Sequence, residues 1–268
     1  HDPQVHDSGR FRLGPNTGVV ARTASGILLW QCGKLEQAIG HVEDALEVAR
    51  HIGHPYSIAY GLHHNGLLAL YRGRHEDARD RARELAEVSE QNDYQVWRTL
   101  STVFEGVATS YLGDPETGLT MTEKGIELYH GLTAPPVFWP DLLRLRALVH
   151  NIAGLSERAL ELIDEALTIG GPDDLTNPEF LIVRGDILRT FPDPDLEVAE
   201  QSYLIAALGA GAGGFHLVEL QALTRLVGLH RETGKSPDGS EELKSLYATF
   251  TEGLEEHDLV AAREMLAD

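Results

Sequence analysis

Apolar and small residues return along this chain in blocks of about forty residues, and each block repeats the same register. The second half of the first block carries Ala38, Val42, Ala45, Leu46 and Ala49 at the spacing of one helix face. The corresponding stripes of the later blocks begin at Ala78, Gly118, Ala159, Ala199 and Gly239. Self-similarity with this period is typical of stacked helix pairs, in which each pair covers the apolar face of its neighbour.

The ends of the predicted helices are signalled by glycine and by proline. A glycine lies five residues before most of the stripes, at Gly33, Gly73, Gly113, Gly154 and Gly234, and Pro194 takes its place once. We expect each glycine to end the first helix of a pair in the left-handed conformation. The small residue five places later should then let two backbones approach closely. Helix starts are indicated by a capping residue before proline at Asp114-Pro115, Asn177-Pro178 and Ser236-Pro237.

The pattern therefore predicts an all-α fold in a single domain that covers residues 1–268. We expect a right-handed α-α superhelix built from about six helical hairpins of about 40 residues each, followed by a C-terminal capping helix. The expected units are 16–52, 53–92, 93–133, 136–171, 177–212 and 215–252, with the cap at 255–267.

The charge of the chain narrows the range of partners. Its 22 Lys and Arg residues against 42 Asp and Glu give a formal net charge of −20. Such acidity repels phosphate backbones and anionic lipid head groups, so neither a nucleic acid nor a membrane is an expected partner. We favour a solvated acidic outer face, with selection of a cationic partner as the alternative.

The expected location is the cytoplasm. Cys32 is the only cysteine, which permits no internal disulfide, and we interpret it as a small core residue. The sequence contains no apolar run of the length that a membrane-spanning helix requires. The chain also begins at His1 rather than at a methionine, which favours a fragment of a longer protein.

Two stretches of the chain resemble a known family. The run from Gly53 to Asn92 reads GHPYSIAYGLHHNGLLALYRGRHEDARDRARELAEVSEQN, and the run from Leu246 to Asp268 reads LYATFTEGLEEHDLVAAREMLAD. The first resembles a tetratricopeptide (TPR) unit of large bacterial regulators that join a nucleotide-cyclase domain, an ATPase domain and a C-terminal helical array. The second resembles the closing signature of that array, and His1-Asp2-Pro3 is similar to its opening motif. The resemblance implies a TPR-like sensory or scaffolding region of a signalling or transcription regulator, with the catalytic domains outside this segment.

Glycine and carboxylate motifs do not predict catalysis. Gly209, Gly211 and Gly214 spell GxGxxG, but no strand pattern surrounds them, so we interpret them as a flexible loop between repeats rather than a dinucleotide site. Asp193 and Asp195 flank a proline in a predicted turn, where solvated carboxylates explain them better than acid-base catalysis.

The thirteen histidines do not predict a metal site. The pairs His51/His54 and His63/His64 lack the spacing of zinc ligands, and we favour ordinary polar or core histidines. We therefore expect this segment to be no enzyme and to hold neither a metal nor a cofactor.

Polar, aromatic and charged residues collect on one strip of the predicted first helices. They recur four, eight and fifteen residues before the glycine or proline that ends each first helix, and positions seven apart share a helix face. We predict that this strip lines a concave groove that binds a protein or peptide partner, a neighbouring domain of the same chain, or a small ligand. The predicted groove residues are Asn65, Arg98, Glu105, Trp139, Arg146, His150 and Asp186.

One alternative for these side chains is a structural role. They would then face water or form internal ion pairs, with Arg146 paired to Glu105 or to Asp186.

Two other classes of function stay open at this point. The chain could be a structural scaffold that forms a homodimer through exposed Phe138, Trp139 and Phe215. A small-molecule enzyme would require acids and bases that converge in a closed pocket, and His63 and His150 are the candidates for it.

Overall fold

A computed structural model describes residues 14–132, 138–170, 177–235 and 239–267 of the chain. These residues form α-helices joined by short connections and include no β-strand, which confirms the all-α prediction. The helices are α1 (Thr17–Gln31), α2 (Leu35–Ile52), α3 (Pro55–Tyr71), α4 (His75–Gln91), α5 (Gln95–Tyr111), α6 (Pro115–His130), α7 (Trp139–Ile152), α8 (Ser156–Gly170), α9 (Asn177–Leu188), α10 (Leu196–Gly213), α11 (His216–Thr233), α12 (Ser240–Tyr247) and α13 (His257–Ala267). None of these helices combines the length and the apolar character that a membrane crossing requires.

Contacts divide the chain into two compact units. Of the described residues, the first unit comprises 14–30 and 35–132, and it holds α2 to α6 together with nearly all of α1. The second unit comprises 31–34, 138–170, 177–235 and 239–267, and it holds α7 to α13. From α2 to α6, and again from α7 to α13, each helix packs against the next one in the chain, as helices do in a helical repeat.

Some helices also contact the helix two places further along the chain. In the first unit α3 contacts α5, and in the second unit α9 contacts both α7 and α11. Among the described residues, α4 does not reach α6 and α8 does not reach α10. We call α3, α5, α7, α9 and α11 the leading helices. Each unit is therefore packed more closely along its leading helices than along the helices that follow them.

Burial distinguishes the leading helices from the others. The leading helix α5 buries side chains around most of its circumference, among them Trp97, Leu100 and Val107. The preceding helix α4 buries one narrow stripe, formed by Ala78, Ala82, Leu85 and Ser89. A helix that is enclosed on most sides lies inside its unit, whereas a helix with one buried stripe covers the outside.

Small residues lie where paired helices cross. The predicted alanines have no exposed area, and they are Ala38, Ala78, Ala159 and Ala199. At the crossing of α5 and α6 the two backbones touch. A Cβ atom added to Gly118 would lie 2.5 Å from the carbonyl oxygen of Gly106, and one added to Gly106 would lie 2.8 Å from that of Gly118. The expectation that small residues permit close approach is confirmed at this crossing.

The glycines that were expected to end helices do so. Their φ angles lie between +67° and +98°, a range that favours glycine, at Gly33, Gly73, Gly113, Gly154 and Gly234. Gly239 instead precedes α12 at its N-cap, with φ +94°.

A carboxylate caps two helix starts, one at Asp114 as expected and one at Asp195, which was not predicted. The Asp114 carboxylate accepts a hydrogen bond from the Thr117 backbone N–H at 3.1 Å, at the start of α6. The Asp195 carboxylate does the same with Val198 at 3.0 Å, so this residue caps α10 rather than merely facing solvent. Asn177 is the first residue of α9, and the predicted start at Ser236 lies outside the described residues.

The glycine-rich stretch at the end of α10 was predicted wrongly. We expected a flexible loop across Gly209, Gly211 and Gly214, but α10 (Leu196–Gly213) continues through the first two, and only Gly214 is left-handed, with φ +74°. Packing against α11 accompanies this longer helix, since a Cβ at Gly211 would lie 2.9 Å from Oε1 at the flexible end of the Glu219 side chain. Of the three glycines, only Gly214 has the left-handed backbone that favours glycine.

The crossing of α5 and α6 gives the first testable prediction. Replacing Gly106→Ala places a Cβ 2.5 Å from Thr122 Oγ1 and against backbone, so the free energy of unfolding should fall by about 2–3 kcal/mol. The matched control is Gly40→Ala in α2, where the new Cβ meets nothing within 4 Å. That change should raise the free energy of unfolding by about 0.5–1 kcal/mol, because alanine favours the helix. Urea unfolding followed by circular dichroism measures the free energy of unfolding of both variants. Equal stability of the two variants would contradict the close crossing of α5 and α6.

Candidate functional site

In the first unit, the accessible side of α5 is a polar stripe. Its members are exposed or half-buried and lie three or four residues apart, so they share one face of the helix. The stripe consists of Gln95, Arg98, Thr102, Glu105 and Thr109. Arg98 is exposed and donates a hydrogen bond to Gln95 Oε1 at 2.7 Å. Two predicted groove residues, Arg98 and Glu105, are thus placed on one accessible face.

The other contacts of the predicted groove residues in this unit are structural. Arg83 Nε of α4 donates to Glu105 Oε1 at 2.7 Å, so Glu105 forms an ion pair within its own unit. The Asn65 side-chain amide donates to the backbone carbonyl of Val42 at 2.9 Å and to that of Gly61 at 3.2 Å. Asn65 therefore links α3 to α2 through a hydrogen bond.

An aromatic cluster, which the groove prediction missed, lies between α3 and α5. We give this name to Tyr56, Tyr60, Tyr94 and Trp97. The Tyr56 ring centroid lies 5.1 Å from that of Tyr94 and 5.7 Å from that of Trp97, and the Tyr60 centroid lies 5.9 Å from that of Trp97. All three pairs are edge-to-face, the favourable geometry for aromatic rings. The four-residue spacing of Tyr56 and Tyr60 on one helix is a sequence signal that indicates such a cluster.

Two histidines extend the aromatic cluster into the core. His63 is 5% exposed and stacks on Phe104 with ring centroids 4.9 Å apart, as expected for a core histidine. His64 Nδ1 lies 2.8 Å from the Tyr60 carbonyl oxygen and donates to it. Burial, and then the neighbouring His64, lower the pKa of His63 well below its usual value. Burial lowers the pKa of His64 to about 4, against the hydrogen bond to Tyr60, so both rings are neutral at pH 7.

In the second unit, the predicted groove residues of α7 differ in exposure. Trp139 and Arg146 are half-buried and lie seven residues apart on one face. Trp139 packs against an apolar core cluster that includes Leu143 and Phe180. His150 is 6% exposed, and its Nδ1 donates to the Arg146 carbonyl oxygen at 2.9 Å. The structure thus places His150 inside the unit.

Asp186 joins three helices of the second unit. The Tyr203 hydroxyl of α10 donates to Asp186 Oδ1 at 2.7 Å, and Arg225 Nε of α11 lies 3.0 and 2.9 Å from the two carboxylate oxygens. Gly185 leaves room for this arrangement, because a Cβ there would lie 2.4 Å from the Tyr203 ring. Burial beside this carboxylate raises the pKa of Tyr203, so the hydroxyl stays protonated and keeps donating. Asp186 therefore forms an internal ion pair with Arg225.

Within the described ranges, no group of three or more His, Cys, Asp or Glu side chains is arranged to hold a metal ion. Cys32 is half-buried rather than fully enclosed.

A scan against protein-family models and a search of curated proteins found no match to this chain. The sites described above therefore rest on the geometry of the chain itself.

The lowered pKa of His64 gives a prediction of pH dependence. The pKa of His64 is about 4 in the folded state, below the value of about 6.5 in an unfolded chain. Its contribution to stability is therefore complete above pH 6.5 and is lost as the pH falls toward 4. Between pH 7 and pH 5 this group alone should lower the free energy of unfolding by about 2 kcal/mol.

The control is His64→Gln, which cannot take up the proton. Urea unfolding of both proteins at pH 7 and pH 5 should show a smaller loss of stability for the variant, by about 2 kcal/mol. An identical loss in both proteins would show that His64 is not held neutral by burial.

Proposed function

We propose that this chain is a non-catalytic binding module of the helical-repeat type, and that its leading helices present the binding face. The observation that carries the proposal is that α3 contacts α5 and that α9 contacts both α7 and α11, whereas among the described residues α4 does not contact α6 and α8 does not contact α10. A stack that is closer along one layer curves toward that layer, so the leading helices would lie on the concave side of each unit. Concave surfaces of such stacks are where repeat proteins hold their partners.

The side chains on the leading helices support this proposal. The polar stripe of α5 remains accessible on a helix that is otherwise enclosed, and it carries the exposed guanidinium of Arg98. On α7 the half-buried Trp139 and Arg146 share a face. Aromatic and arginine side chains are the residue types that contribute most to protein interfaces. We infer a peptide or protein segment as the partner.

The wider setting is also a proposal. The resemblance of two stretches to bacterial cyclase and ATPase regulators favours the C-terminal region of such a protein, working in the cytoplasm. Binding of a partner would then stiffen the helices and shift the conformational equilibrium of an attached domain.

The binding face can be tested with a displayed library of random linear peptides selected on the intact chain. Dissociation constants of the selected peptides, measured by fluorescence anisotropy, should rise at least about tenfold for Arg98→Ala or for Arg146→Ala, because a desolvated arginine contact is lost. Thermal midpoints should stay within a few degrees of the parent protein.

The matched control is Arg158→Ala in α8, an exposed arginine that pairs with Glu161 on its own helix at 2.6 Å. This variant should bind the selected peptides like the parent chain. Peptides that bind all three variants equally would show that the leading helices are not the binding face.

A second candidate function is a scaffold that self-associates. Phe138, Trp139 and Phe215 are half-buried, so they offer little area to a partner copy. Exposed apolar side chains lie instead on α10, where Ile205 is 53% and Leu208 is 66% exposed. Light scattering over a range of concentrations tests this function: the scaffold predicts a dimer that Ile205→Glu dissociates, whereas a monomer at all concentrations contradicts it.

A further inference from the structure

The second unit contains a cavity that the predicted groove does not include. It lies between α10, α11 and the start of α12 and has a volume of about 550 Å³, which is in the range of small-molecule sites. Its apolar wall comes from two helices and consists of Leu204, Ala207, Leu208, Leu223 and Leu226. Leu208 is 66% exposed on this wall, and exposure of a large apolar side chain to water costs free energy.

A glycine in the cavity wall leaves room for a carboxylate. Gly211 of α10 lines it, and a Cβ at this position would lie 2.9 Å from Glu219 Oε1. Because Gly211 has no side chain, the Glu219 carboxylate can lie directly beside it in the lining of the cavity.

The polar lining of the cavity is acidic and comes from three helices. Glu200 of α10, Glu219 of α11 and Glu242 of α12 all line it. Lys235 Nζ contacts the Glu200 carboxylate, and this hydrogen bond is the main cause that lowers the pKa of Glu200. His216 Nδ1 lies 3.5 Å from Glu219 Oε2, which is a weak contact. The cavity therefore keeps a negative charge after these partners are counted.

A buried histidine completes the lining. His230 is 4% exposed, and its Nε2 lies 3.1 Å from Glu200 Oε1. Both ring nitrogens, Nδ1 and Nε2, are buried, and neither makes a hydrogen bond of good geometry among the described residues. When Nε2–H faces the Glu200 carboxylate, Nδ1 carries a lone pair and can only accept a hydrogen bond. A buried acceptor without a donor costs free energy until a ligand supplies that donor.

We propose that this cavity binds an organic cation that carries a primary ammonium or guanidinium group on an apolar stem. The leucine wall covers the stem, and the cationic group donates hydrogen bonds to the Glu219 and Glu242 carboxylates and to His230 Nδ1. A free amine and a lysine or arginine side chain of a peptide share this chemistry. The site includes part of α11, which is a leading helix, but it shares no residue with the polar stripe of α5 or the Trp139 face of α7, so the two proposals are tested separately.

The test is calorimetric titration of the intact chain at low salt with three six-carbon probes: hexylamine, 1-hexanol and hexanoate. Hexylamine should bind with a dissociation constant below about 1 mM, hexanol at least about tenfold more weakly, and hexanoate not at all up to about 10 mM. Because all three probes meet the same unaltered protein, this comparison does not depend on how any variant folds.

Variants locate the site. The double change Glu219→Gln with Glu242→Gln should weaken hexylamine at least about tenfold, whereas Glu241→Gln, an exposed neighbour outside the cavity lining, should change nothing. Nα-acetyl-lysine methylamide distinguishes the two sources: tighter binding than hexylamine indicates a peptide side chain, and weaker binding indicates a free amine. Equal affinity for hexanol and hexylamine, or hexylamine binding that the double variant leaves unchanged, would overturn the proposal.

Discussion

The structure depends on the close approach of paired helix backbones at small residues. Where α5 crosses α6, glycines on both helices leave room for nothing larger than hydrogen, and at other crossings fully buried alanines serve the same purpose. Close contact along whole helices replaces water with protein atoms and gives each pair its stability. The repeat in the sequence thus reflects a recurring crossing of two helices. In each block, one small residue sets how closely the two backbones approach.

This packing also decides which side chains remain accessible to solvent. The leading helices contact one another as well as their partners, so α5 keeps only a polar stripe at its accessible face. Helices such as α4 and α8 bury a single face and leave the other to water, where their charges contribute to the net charge of −20. A charged outer surface and an accessible polar stripe on α5 therefore arise from the same arrangement of helices.

Much of the fold could be predicted from the sequence because its signals are local. Gly73 and Gly113 end helices, Asp114 starts one, and small residues permit close crossings, each through its own backbone geometry. Interactions between helices were harder to predict from the sequence. Arg83 as the partner of Glu105, Arg225 as the partner of Asp186, and the burial of His150 depend on the rotation of one helix against another, which the repeat period does not specify. The cavity lined by Glu200, Glu219 and Glu242 was missed for the same reason, since these residues meet only through the packing of α10, α11 and α12.

The central claim is that leading helices form the inner layer of each unit, and native-state hydrogen exchange on the intact chain tests it most directly. Amides of α5 and α9 should exchange at least about tenfold more slowly than those of α4 and α8, because neighbours enclose them on more sides. Equal exchange in the two sets, or slower exchange in α4 and α8, would contradict the account.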